Sequence, residues 1–310
     1  MKRELNSAIY GRKIGEVMLF REMANHFNAP GRCTYVEEVH GKKGWVEFHS
    51  LFSPNPKTVE LGDLLLFTYD EYKRELRICT MQAKYKKGGF RKFLHCRGNV
   101  FQWELLYSKP TIKNKSGSCF PPHILNFRAD YDSITAYGVF YHDVYHHDID
   151  FLYTIPYYFR PARSPRGPIS NSSRAFQFIC PIAAKGSMTS CAVGIATHEA
   201  LSTCSIDVFE DQVLRCKVGA PIEEKSEIQK WALDFLAHMR GRADHPEVID
   251  VILRAYDFFP QESVSRSLEY FNSFPATLIV VTNSKQYEDS CGMFSFSNAF
   301  MSDRGDSEKI

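Results

Sequence analysis

Apolar residues recur at helical spacing between residues 12 and 28. Ile14, Val17, Met18, Met23, Ala24 and Phe27 share a face, and Asn28-Ala29-Pro30-Gly31 stops the pattern. The period then shortens. Thr34–Val39 and, after a turn at Gly41–Gly44, Trp45–Phe52 read as strands, and Ser53-Pro54-Asn55-Pro56 breaks the chain again. The clearest hairpin follows. Its first strand is Val59–Phe67, an apolar run with the single acid Asp63 inside it; Tyr69–Glu75 is a polar connection, and Leu76–Lys84 is the second strand. A loop rich in glycine and lysine leads to a helix from Asn99 to Ser108, with Gly98-Asn99 at its start and Pro110 at its end.

Ile134–Phe159 is rich in Tyr, Phe, Val and Ile and predicts further strands. Arg160–Ser173, with its prolines and serines, reads as a linker or domain edge. Beyond it, Phe176–Ile182, Cys191–Ile195 and Val208–Leu214 read as β-like. Lys225–Arg240 and Pro246–Phe259 read as helices, Thr277–Thr282 as a last strand, and the polar tail from Asp303 as frayed. The expected class is α/β, with residues 1–165 as one unit and 166–310 as a C-terminal α/β region.

Composition narrows the function classes. In 310 residues, 44% are hydrophobic and 24% charged, which excludes disorder as a description of the whole chain. The formal net charge is only +2, so attraction to nucleic acid over the whole surface is excluded as well. No apolar run reaches the roughly 18–20 residues a bilayer requires, and the charged start Met1–Asn6 is unlike a signal peptide; no membrane role and a cytoplasmic location are expected. The nine cysteines contain no Cys-x-x-Cys pair and read as small buried apolar residues in a reducing compartment.

The candidate chemistry lies in the hairpin. Side chains alternate along a strand, so Leu76, Ile78, Thr80, Gln82 and Lys84 share one face and Gln82 and Lys84 project together at the strand end. Pairing with the preceding strand brings Asp63 towards them. A carboxylate inside Leu61-Gly62-Asp63-Leu64-Leu65-Leu66 is costly to bury without a cation or hydrogen bonds, which marks Asp63 as a site residue. An acid, an amide oxygen and an ammonium at one sheet edge can hold a divalent cation and direct water onto a phosphate.

In this order of elements (helix, strand with Asp63, strand ending Gln82-Ala83-Lys84, helix carrying Gln102) the chain resembles the PD-(D/E)xK, or restriction-endonuclease-like, nucleases. Glutamine stands where many members have the second acid, and Gln102 in Phe101–Leu106 is similar to the Mrr- and RecB-like branches. The resemblance spans roughly residues 10–110. It implies a mixed central sheet flanked by helices, with Mg²⁺ or Mn²⁺ held by Asp63 and the side-chain oxygen of Gln82. It further implies Lys84 orienting the attacking hydroxide and offsetting phosphorane charge, Gln102 supporting the site or touching DNA, and an acid of the first helix completing the site: Glu16, or less directly Glu22. Gly62 stands where the family often has proline. The implied activity is DNA hydrolysis in a bacterial defence or restriction system, as a homodimer or with a partner protein; RNA is not excluded as a substrate.

Charge distribution adds to this reading. Nine basic residues and one acid, Glu104, lie between Lys84 and Lys115, a local +8 against −6 for the remainder. Lys86, Lys87, Arg91, Lys92 and Arg97, interleaved with aromatic residues, are the expected phosphate contacts. His142-Asp143-Val144-Tyr145-His146-His147-Asp148 carries metal-ligand residue types, but its neighbours predict strands rather than a ligating helix face. Walker A, Gly-x-Gly-x-x-Gly and Gly-x-Ser-x-Gly sequences are absent, which leaves ATPase, dinucleotide and common serine-hydrolase chemistry without support. The alternative functions are an inactive nuclease-fold subunit that binds nucleic acid or a partner, and an interaction protein with no nucleic-acid role.

Overall fold

A computed structural model describes residues 1–27, 34–37, 45–89, 94–115, 125–126, 132–142, 148–161, 175–180, 195–196, 199–203, 205–241, 243, 246–258 and 276–283. The chain begins with two helices, Lys2–Ile9 (α1) and Glu16–Phe27 (α2), followed by short strands Thr34–Glu37 (β1), Trp45–Phe48 (β2) and Lys57–Glu60 (β3). Leu64–Asp70 (β4) and the long Glu75–Gly89 (β5) form a hairpin, and Leu94–Asn99 (β6) leads into Val100–Ser108 (α3). Thr111–Asn114 (β7), Leu125–Asn126 (β8), Thr135–His142 (β9), Ile149–Thr154 (β10), Arg160–Pro161 (β11) and Ala175–Cys180 (β12) follow. The last part holds Ile195–Ala196 (β13), Glu199–Ala200 (β14), Ser202–Thr203 (β15), Ile206–Leu214 (α4), Ala220–Pro221 (β16), Glu227–Arg240 (α5), Pro246–Ala255 (α6) and Ala276–Thr282 (β17).

The central sheet runs β1-β17-β4-β5-β9-β10-β15, with β16 added to β5. It is mixed: β17 is parallel to β4 and β5 to β9, whereas the β4–β5 and β9–β10 pairs are antiparallel. Both faces are covered, which is why every residue of β4 is buried rather than every second one. Leu65, Phe67, Tyr69, Leu76 and Ile78 face a core shared with α3, α5 and α6. Leu64, Leu66, Cys79 and Met81 face the opposite core, with α1, α2 and α4. The chain is thus α/β, a mixed sheet between helical layers. Strands from residues 202–203, 220–221 and 276–282 join the same sheet as strands from 34–154, so the sheet draws on both sides of the expected 165/166 boundary.

Three local expectations are corrected. Val59–Phe67 is not one strand: β3 pairs with β2 in a separate sheet, and β4 begins only at Leu64. Gly62 makes this break possible. A Cβ there would stand 2.7 Å from the Thr80 methyl and 3.0 Å from the Met81 carbonyl oxygen, so the chain lies flat against β5, too close for any side chain. This explains the absence of proline before Asp63. The hairpin turn is also tighter than Tyr69–Glu75, with Asp70 accepting from the Tyr72 and Lys73 amides and Arg74 at φ 52°. Val208–Leu214 is helical. Ser205 caps it by accepting from Asp207, and Ile206, Phe209 and Val213 bury one face. Helix α1 carries too few apolar residues to have been read from pattern.

The expected helix at 99–108 forms as α3, with the Asn99 side chain accepting from Phe101 and Lys109 in the left-handed region before Pro110. Cys79, Cys96 and Cys216 are buried, and burial pushes the Cys79 and Cys216 thiols up to about 12. Among the described residues no helix is long and apolar enough to cross a membrane. Most of the 160–173 segment and the tail from Asp303 lie outside the described residues.

Gly62→Ala should lower unfolding stability by about 1–3 kcal/mol, the usual cost of overpacking. Adding Thr80→Ser, which removes the nearest methyl, should recover part of the loss in denaturant melts; full tolerance of Gly62→Ala would contradict the close approach.

Candidate functional site

The site grows from the place where β4 ends its pairing with β5. Leu64 stands opposite Met81, and the Asp63 amide still donates to the Met81 carbonyl at 3.0 Å. Beyond that point β4 offers no backbone. Asp63 supplies its side chain instead: Oδ2 accepts the Ala83 amide at 2.7 Å and the Gln82 side-chain amide. Asp63 is thereby locked beside Gln82, with Lys84 two residues further along β5. The proximity expected from hairpin pairing is present, although Asp63 stands just before its strand rather than within it.

Helix α3 closes one side. Gln102, itself buried, donates to the Gln82 Oε1 atom and lies 3.4 Å from the Glu60 carbonyl oxygen. Asp63, Gln82 and Gln102 therefore form one hydrogen-bonded chain. In it Gln82 turns its amide nitrogen, not its oxygen, towards Asp63. Helix α2 closes the other side, placing the Glu16 carboxylate 4.0 Å from the Lys84 ammonium. Of the two helix acids, Glu16 is the one in the site; Glu22 pairs with Arg12 at 2.9 Å.

Glu60, at the end of β3, was not legible in the sequence. Burial raises its carboxyl to about 7, Asp63 and Glu16 push in the same direction, and Lys84 opposes them. Asp63 is raised chiefly by burial, against Lys84 and its two hydrogen bonds. Glu16 is raised by burial, with Lys84 opposing and Asp63 adding. Tyr137 is fully enclosed, and its hydroxyl is pushed well up by burial and then by Asp63. Three carboxyls thus share the field of one ammonium in a half-buried setting, an excess of negative charge that invites a cation.

Among the described residues no group of three His, Cys, Asp or Glu side chains is gathered tightly enough to hold a metal ion alone. Any cation here would depend on Asp63, the Gln82 amide and non-protein oxygens. Both hydrogen bonds to Asp63 from the described residues end on Oδ2, so Oδ1 remains able to serve as a donor atom. A Mg²⁺ ion with one or two protein carboxylates and several waters fits that chemistry.

The expected basic track is described in part. Lys86 lies on the face of β5 that carries Gln82 and Lys84, whereas Lys109 is tied to Asp132 at 2.6 Å. Lys87 lies in β5 and Arg97 in β6, without described side chains; Arg91 and Lys92 lie outside the described residues. Glu104, the acid within the basic run, turns away from the site and holds the 49–52 loop by accepting from Ser50 and Leu51. His142 pairs with Tyr85 at 2.9 Å, and residues 143–147 lie outside the described residues.

Fold and site together define an α/β chain with an acid–amide–ammonium cluster at the end of the β4–β5 pairing, among the central strands rather than at the expected sheet edge. No family model matches the chain, and neither a curated protein nor a solved structure is found to match it.

The raised carboxyls carry a pH signature. A carboxyl raised from its ordinary 4.5 to about 7 costs the folded state nothing while protonated and destabilises it as pH rises through that interval. Glu60→Gln removes this loss. In melts with chelator present, its Tm relative to wild type should climb between pH 4.5 and 8, by on the order of 2 °C after solvent screening. A difference that does not change with pH would contradict the assigned burial of Glu60.

Proposed function

We propose that the chain is a metal-dependent endonuclease with a restriction-endonuclease-like core, hydrolysing phosphodiester bonds in DNA. The observation that carries the reading is the juxtaposition of Glu16, Glu60 and Asp63 with the single ammonium of Lys84, beside the Gln82–Gln102 pair. Asp63 and Gln82 would hold Mg²⁺ or Mn²⁺ together with water and a phosphate oxygen, Gln82 after a half-turn that presents its oxygen. When bound, the cation supplies Lewis-acid activation of water and phosphate.

The protein groups have separate tasks. Lys84 sits where it can offset charge on the pentacoordinate phosphorus and orient the incoming water. Glu60, the carboxyl of the cluster that neither holds the cation nor faces Lys84 directly, would accept that water's proton. The water oxygen forms the new bond to phosphorus, the bond to the departing sugar oxygen breaks, and that oxygen takes a proton from a solvent water. Glu16 holds Lys84 in place from the helix side. Lys86, one repeat further on the same strand face, suits the adjoining phosphate. A place in a defence or restriction system, a homodimer and a partner protein belong to the same reading through the family resemblance.

A second reading has its own support. The Gln82 oxygen is engaged by Gln102, and glutamine brings no negative charge to the site. An inactive nuclease-fold subunit that binds nucleic acid or a partner protein would have this arrangement.

Plasmid incubated with Mn²⁺ or Mg²⁺ separates the two. The first reading expects nicking or linearisation by wild type, reduced at least about 100-fold in Asp63→Ala and Lys84→Ala. Salt-sensitive DNA binding without cleavage would favour the second. Equal cleavage by wild type and both variants would place the activity elsewhere.

A further inference from the structure

Helix α3 has a second face beyond the one that reaches Gln82. Trp103 follows Gln102 directly, and Tyr107 lies one turn later. Their rings stack at 4.8 Å between centroids with 19° between planes. The stack is held rigidly: the Trp103 indole N–H donates to the Phe159 carbonyl at 2.7 Å, and α3 is capped at both ends. Yet Tyr107 is 44% exposed. Tyr157, from the segment that holds Trp103, is 48% exposed and meets Tyr158 edge-on at 5.2 Å. The same segment touches the site's surroundings, since the Phe159 ring lies 4.2 Å from Tyr137, whose hydroxyl is under the influence of Asp63.

We propose that Tyr107, backed by Trp103, is a stacking platform for an unpaired base of a single-stranded nucleic acid whose backbone enters the Asp63–Lys84 site. The inference rests on the phosphodiester reading of that site and adds the substrate's form to it. Tyr107 lies five residues beyond Gln102, about 7.5 Å along the helix axis and about 140° round it, so a strand that reaches both passes round α3. A flat aromatic face already fixed by packing gives up little conformational freedom when a base stacks on it, and base–aromatic stacking tolerates any base. In a duplex the base faces are already stacked, so only an unpaired or extruded base can use the platform. Lys86, on the face of β5 that carries Lys84, supplies charge for the connecting phosphates. A protein partner would use the exposed rings but would have no use for the neighbouring acid–lysine cluster.

The test needs no catalysis. In the presence of chelator, binding of a labelled dT10 strand is compared by fluorescence anisotropy with a ten-unit abasic strand carrying the same phosphates. Wild type should bind dT10 about tenfold more tightly and show quenched tryptophan emission. Tyr107→Ala should lose most of that preference, and Tyr107→Phe should keep it. Equal affinity for the two strands, a preference unchanged in Tyr107→Ala, or a duplex competing as strongly as dT10 would each overturn the platform. Self-association abolished by Tyr107→Ala, without base preference, would assign the face to a second copy and overturn it too. Asp63-dependent plasmid cleavage with equal strand affinities would leave the site reading intact while the platform fails; base preference without cleavage would do the reverse.

Discussion

The constraint on which the site depends is the hydrogen bond from the Ala83 amide to the Asp63 carboxylate. Strand β4 stops pairing at Leu64, one residue before its partner reaches the chemistry. A side chain then takes over from the backbone, with Oδ2 occupying the position of the next ladder acceptor. From this substitution the remainder follows. Gly62 must lack a Cβ so that Asp63 can lie against β5, Gln82 turns its amide to the same oxygen, and Lys84 lies two residues further along the strand.

Burial of acids is not unusual in this fold, and the contrast between sites is informative. Asp150 is also buried, but it caps α4 by accepting the Ile206 amide, accepts the Phe151 amide, and has the Lys2 ammonium at 2.9 Å. Its role is structural. Glu104 is likewise accounted for by the loop it anchors. The Asp63 group differs because three carboxyls share one lysine and none of the three has an ammonium to itself. Such an arrangement costs stability, and a cation would offset that cost, a trade common where function rather than folding sets the residue.

Much of the framework was legible because it rests on local rules. The period-two face of Leu76–Lys84 placed Gln82 and Lys84 together, and the Asn99 cap and Pro110 bracketed α3, bringing Gln102 to the site. What escaped depended on packing between distant segments. Glu60 looks like an ordinary polar strand end until β3 and β4 are separated by the kink at Gly62. Helix α4 carries β-prone residues, but its cap and the burial of Ile206, Phe209 and Val213 on one face decide in favour of helix. The Trp103–Tyr107 pair is visible in the sequence as an i,i+4 spacing, but its exposure is not. The basic count overstated the free charge, since Lys84 and Lys109 face acids that are remote in sequence.

Anomalous diffraction from crystals soaked in Mn²⁺ tests the central claim most directly, because it asks where a cation goes without asking for turnover. The account predicts a peak within coordination distance of Asp63 Oδ1, with the Gln82 amide turned so that its oxygen faces the ion, and no such peak in Asp63→Asn. Absence of a peak in wild type at saturating Mn²⁺, or a peak that persists in Asp63→Asn, would contradict it.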